Sequence, residues 1–147
     1  MTTYDPFSTV ERPKVGVFAG IPSAPPGKVL VVDQVGRALR ALESPRDRLT
    51  PGEARWGQVR TLYEVDVTEH QLEFEDTFPC RDDVGGYRAV IKFACKVRDA
   101  TDVVTRGTHD VSRVVVPLLT ETLRRTCGEF EAEEHQAAEK ASLEAVR

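Results

Sequence analysis

Tyr87-Arg-Ala-Val-Ile-Lys-Phe-Ala-Cys-Lys-Val-Arg98 decides how this chain is read. Tyr87, Ala89, Ile91, Phe93, Cys95 and Val97 fall on one parity, and Arg88, Lys92, Lys96 and Arg98 on the other. Successive side chains of a strand point to opposite faces, so the pattern is a strand with one apolar and one solvated face. Just upstream, Leu72, Phe74 and Phe78 share a parity while Glu73 and Glu75 take the other. Arg81-Asp-Asp-Val-Gly-Gly86 between them supplies the turn chemistry of a hairpin.

Downstream the period becomes helical. Asp99 or Thr101 caps a short helix through Arg106, with Gly107 as its left-handed stop. Asp110 caps a second helix, whose Val111, Val114, Val115, Leu118, Leu119 and Leu123 read as one broad apolar stripe. Pro117 lies inside it, so a kink or a late helix start is expected. Glu131 to Arg147, rich in Ala, Glu and Lys, reads as a third helix.

Upstream the pattern is again that of a sheet. Val29 to Val35 is a β-branched run ending at Gly36, and Ala38 to Leu42 returns from it as a hairpin. Thr50-Pro-Gly52 reads as a tight turn. Val59, Thr61, Tyr63, Val65 and Val67 alternate against Arg60, Leu62, Glu64 and Asp66. The segment before Gly27 holds Pro6, Pro13, Pro22, Pro25 and Pro26, which restrict pairing to a sheet edge. Lys14 to Phe18 is its one candidate strand. The expected organisation is a proline-rich arm over 1–27, an α+β domain over 28–128, and a C-terminal helix over 129–147 that could open a coiled coil.

The 147 residues suit one domain, with 40% hydrophobic and 30% charged residues as in ordinary soluble proteins. A net charge of −4 argues against a nucleic-acid partner, which needs a basic face. No run reaches the roughly 20 apolar residues of a membrane span. No secretory leader or myristoylation signal is recognised at the start. Three well-separated cysteines, Cys80, Cys95 and Cys127, read as reduced thiols, and the expected location is cytoplasmic. Cys80, at a strand end beside Arg81, is the thiol whose reactivity is worth checking.

Chemistry is sought without success. His70, His109 and His135 are each isolated, and Glu133-Glu134-His135 lacks the spacing that puts two imidazoles on one helical face. Asp82-Asp83 lacks the spaced oxygens of a calcium loop. The glycine pairs are followed by no phosphate-binding lysine, and no serine sits in a nucleophile elbow. No catalytic residue, cofactor or metal is therefore expected. Two candidate surfaces remain. Arg37, Arg40, Arg46 and Arg48 cluster around the first hairpin, as a solvated edge or a contact with an anionic membrane surface. On the last helix Phe130, Ala137, Ala141 and Ala145 make one stripe with Ala138 beside it, and Leu143 and Val146 lie on a second face. This is a candidate oligomer interface whose partner surface is expected from a neighbouring subunit.

The ordered elements resemble the SPFH, or band 7, domains of the stomatin, prohibitin and flotillin group. Gly27-Lys-Val-Leu-Val-Val-Asp-Gln-Val-Gly36 is similar to their opening strand, and Thr50-Pro-Gly52 to the following Pro-Gly turn. Tyr63 to Val67 with Leu72 to Glu75, then Tyr87 to Arg98 running into Asp99, resemble the next strands and the short helix. Leu123-Arg-Arg125 and Gly128 resemble the helix that precedes the last one. The resemblance covers about Gly27 to Arg147. It implies a strongly curved antiparallel sheet packed by helices. It also implies side-by-side self-assembly into rings or cages that organise other proteins, membrane or cytosolic, often near membranes. The family's usual membrane segment has no counterpart here, so any membrane contact is expected to be peripheral. A second reading is an adaptor that binds a membrane protease or another membrane protein through the arm. A third is a small-ligand or enzyme domain whose site no linear motif reveals.

Overall fold

Among the described residues, two antiparallel sheets and three helices described over their full length make this an α+β fold. The computed structural model describes residues 2–10, 23–50, 52–53, 58–81 and 85–146. The strands are β1 (Phe7–Val10), β2 (Lys28–Gln34), β3 (Arg40–Leu42), β4 (Val59–Asp66), β5 (His70–Pro79) and β6 (Gly86–Cys95). The helices are α1 (Ala100–Arg106), α2 (Val111–Cys127) and α3 (His135–Ala145), with a 3-10 turn at Pro45–Asp47. The chain divides into two units. A sheet unit comprises Asp5–His70 and Cys95–His109, and a hairpin unit comprises Met1–Tyr4, Gln71–Ala94 and Asp110–Arg147.

The sheet unit has the strand order β1-β4-β2-β3, antiparallel throughout. Leu30, Val31 and Val32 are consecutive and all buried, because apolar material covers both faces of β2. On one face Phe7, Val31 and Val65 pack with Ala100, Val103 and Val104 of α1. On the other, Val32, Leu49, Val59 and Leu62 pack together, with Val10 and Leu42 at the margin. Each fully buried valine contributes roughly 1.5–3 kcal/mol of transfer free energy. Strict alternation in β4 predicts Val59 and Leu62 on opposite faces. They share one, because Asp33 pairs with Thr61 and Gln34 with Val59, so Arg60 is the extra residue of a bulge that reverses the parity.

Within the segment read as an arm, Phe7–Val10 pairs with β4 at the sheet edge, the one position its flanking prolines allow. The candidate strand over 14–18 lies outside the described residues, as do Pro51 and residues 82–84 of the two expected turns. Thr50 and Glu53 are paired. The Thr50 hydroxyl accepts from the Glu53 amide at 3.1 Å, and the Glu53 carboxylate accepts from the Thr50 amide at 2.9 Å. This reciprocal pair is a capping box, and Gly52 and Glu53 are helical. The sequence pattern Thr-x-x-Glu carried that signal, masked by the proline and glycine between.

Gly27 ends the entry into β2 at φ +77°, where a Cβ would stand 2.5 Å from Thr68 Cγ2. Gly27→Ala is expected to lower stability by on the order of 1–2 kcal/mol from the left-handed backbone alone. Gly36→Ala, at φ +73° with open space around it, should be the milder change. Urea melts of the two variants check the ranking.

In the hairpin unit, β5 and β6 form a two-stranded sheet, separate from the other four strands rather than continuous with them in one curved sheet. Leu72, Phe74 and Phe78 of β5 are buried, and Tyr87, Ala89, Ile91 and Phe93 of β6 are half-buried beside them. Helix α2 covers this apolar face with Val116, Leu119, Leu123 and Cys127. On the solvated face Arg88 pairs with Glu75, and Lys92 with Glu73 at 3.4 Å. Cys80 and Cys127 are buried and in no disulfide, so Cys80 is not presented to solvent for reaction.

The helix signals were placed well. Asp99 caps α1, and Gly107 ends it at φ 62°. Asp110 caps α2, which runs from Val111 through Pro117 to Cys127 with neither a late start nor an interruption. Hydrogen bonds from the Ser112 and Thr3 hydroxyls hold the Asp110 carboxyl down at about 2. Its unfolded value is 3.8, so its contribution to stability is fully present above that pH and is lost as pH falls through about 2. The stability gap between wild type and Asp110→Ala should therefore narrow as melts are run from pH 5 down to pH ~2.

Candidate assembly surface

The candidate interface is built on α2 and α3, which pack together within the hairpin unit. After α2 ends at Gly128, the chain is anchored by backbone: the Phe130 carbonyl accepts from the Arg81 amide at 2.8 Å, and the Glu131 carbonyl accepts from the Tyr87 hydroxyl. Helix α3 then begins at His135, four residues later than read, because residues 131–134 form a turn of their own. The Glu131 amide donates to the Glu134 carboxylate at 2.9 Å, and the Glu134 amide to the Glu131 carbonyl at 2.9 Å. No side chain caps α3.

Alanine spacing predicts Phe130, Ala137, Ala141 and Ala145 along one line. The residue that α3 buries is Ala138, 2% exposed, with Ala141 and Ser142 half-buried beside it. The Ser142 hydroxyl lies 3.7 Å from the Cys127 thiol of α2. Small side chains at Ala138 and Ser142 allow close packing of the two helices inside the unit. Phe130 and Ala141 are half-buried, whereas Ala137, Leu143, Ala145 and Val146 are exposed, Leu143 at 61%.

Helix α2 adds two residues that the sequence reading placed in the core. Val114 is 49% exposed and Leu118 66%. The inward side chains are Ser112, Val116, Leu119, Leu123 and Cys127. At about 100° per residue, Val114 and Leu118 lie roughly opposite the centre of that set. The apolar stripe was drawn too broad, and a narrower one centred on Leu119, Leu123 and Cys127 would have exposed both residues as outliers.

Compared with protein-family models, curated proteins and solved structures, the chain matches none.

The second candidate surface lies in the sheet unit. Arg37 follows β2, Arg40 opens β3, Arg46 stands in the 3-10 turn and Arg48 follows it; all four are exposed. None forms an ion pair with a described carboxylate. Asp47 is turned onto Ser44, accepting from its amide and hydroxyl at 3.1 and 2.8 Å. The Glu53 carboxyl is held below its usual range chiefly by the Thr50 amide and hydroxyl, and secondarily by Arg40 and Arg37. The four arginines and the neighbouring Val35 are exposed.

Among the described residues no group of three His, Cys, Asp or Glu side chains is placed to hold a metal ion. His70 pairs with Asp66 at 3.1 Å, and His109 with Asp5 at 3.1 Å while its ring lies 4.5 Å from that of Phe7. No described helix is long and apolar enough to cross a membrane.

Proposed function

We propose that this chain is a non-enzymatic scaffold of the SPFH, or band 7, type, which self-assembles into a ring, cage or other large homo-oligomer and organises other proteins. The observation that carries the reading is where the exposed apolar side chains fall. Of six large hydrophobic residues exposed among the described residues, four lie on one pair of helices or at its end: Val114, Leu118, Leu143 and, as the C-cap of α3, Val146. Both helices already spend their opposite faces inside their own unit. Exposed hydrophobic residues scattered singly need no explanation, and we read their concentration on one pair of helices as an association site. The order of strands and helices along the chain supports the same reading through the family resemblance. The basic group Arg37, Arg40, Arg46 and Arg48 supports a peripheral membrane contact for such an assembly, each cation contributing roughly 1 kcal/mol near an anionic surface.

Negative-stain images of the purified chain test the proposal. Closed particles of repeated subunits are expected. A field of single small particles at micromolar concentration would count against it. Sedimentation with vesicles tests the membrane part separately. Binding to anionic vesicles should fall when the four arginines are replaced by glutamine, and neutral vesicles should not bind.

A further inference from the structure

The first three described residues, Thr2 to Tyr4, belong to the hairpin unit, although more than 65 residues separate them in sequence from the rest of it. Their hydrogen bonds are specific. Thr2 donates its amide to the Glu73 carbonyl of β5 at 3.0 Å, and its hydroxyl accepts from the Glu73 amide at 2.7 Å. Thr2 thus satisfies both main-chain groups of one residue on the outer edge of β5. Thr3 donates its hydroxyl to the Asp110 carboxylate, and the same oxygen accepts from the Ser112 amide at 3.4 Å. The Tyr4 carbonyl accepts from the Val111 amide at 3.3 Å.

The first four amides of a helix have no partner within it. In α2 the Arg113 amide is met by the Asp110 cap at 3.3 Å. The Val111 and Ser112 amides are met by Tyr4 and Thr3. We infer that Thr2–Thr3–Tyr4 is a clasp: it completes the N-terminal cap of α2 and the edge of β5, and its release loosens the first turn of α2 locally. That turn leads into Val114 and Leu118, so the clasp controls the order of the surface that the proposed assembly uses. The inference rests on that proposal only for its consequence, since the clasp itself is read from hydrogen bonds within one unit.

Amide hydrogen exchange tests it in the full chain. In Thr3→Val, which keeps shape but removes the hydroxyl, the Ser112 and Val111 amides should exchange about fivefold faster, the equivalent of a lost cap of about 1 kcal/mol. Thr3→Ser should restore slow exchange. Amides of β2, such as Val31, should be unchanged in all three proteins. Deleting residues 1–4 should raise exchange at Glu73 as well. Unchanged exchange at Val111 and Ser112 in both the valine variant and the deletion would overturn the clasp. Equal acceleration at Val31 would also overturn it, because the segment would then act on global stability rather than locally. A clasp that behaves as expected in a protein that stays monomeric would leave the clasp standing and remove only its role in assembly.

Discussion

Phe78→Ala is expected to destabilise the hairpin unit by about 3–5 kcal/mol, the largest effect of any single truncation in that unit. Phe78 is 1% exposed and packs with Phe74, Leu123 and Cys127, so it joins the sheet to α2. Removing the ring loses its transfer free energy and leaves a cavity in the cluster between β5, β6 and α2. Phe93→Ala should cost less, because Phe93 is half-buried at the margin of the same cluster. Lys92→Ala, on the solvated face, should cost under about 1 kcal/mol, since its ion pair with Glu73 is exposed. Denaturant melts of the three variants check the order. Equal losses at Phe93 and Lys92 would mean that β6 presents the wrong face to α2.

The second large effect is on assembly. Placing aspartate at both Leu118 and Leu143 is expected to leave the fold intact and reduce an assembly to protomers. Both side chains are more than 60% exposed, so a charge there meets water in the isolated chain. In a packed interface the same charge would be desolvated without a partner, which is strongly unfavourable. Leu143 and Val146 alone would have been the choice from sequence, and α2 extends the surface to Val114 and Leu118. An unchanged mass in the double variant, with unchanged melting, would move the interface to another face.

What the sequence made legible follows from how local each signal is. The alternation in Tyr87 to Phe93 and the caps Asp99, Gly107 and Asp110 depend on neighbouring residues only and lie where they were read. By contrast, β6 ends at Cys95, and Val97, read as its last inward residue, packs in the sheet unit. The bulge at Arg60 depends on how β4 pairs with β2, so a one-strand pattern could not reveal that Val59 had changed faces. Phe7–Val10 was hidden because four residues beside prolines carry no period, and its partner β4 lies some fifty residues away. The division into two sheets was equally invisible, because strand alternation says which face is apolar and not which strand lies alongside. For the surface, the exposure of Leu143 and Val146 was legible, but the role of the alanines was not. Alanine spacing looks the same whether a helix packs on its own unit, as through Ala138, or on a neighbour.

The central claim is that copies of this chain assemble, and the mass in solution tests it most directly. Light scattering on the eluting protein, across a range of micromolar concentrations, should give a mass many times the 16.3 kDa of one chain. A constant value of one chain's mass over that range would contradict the scaffold.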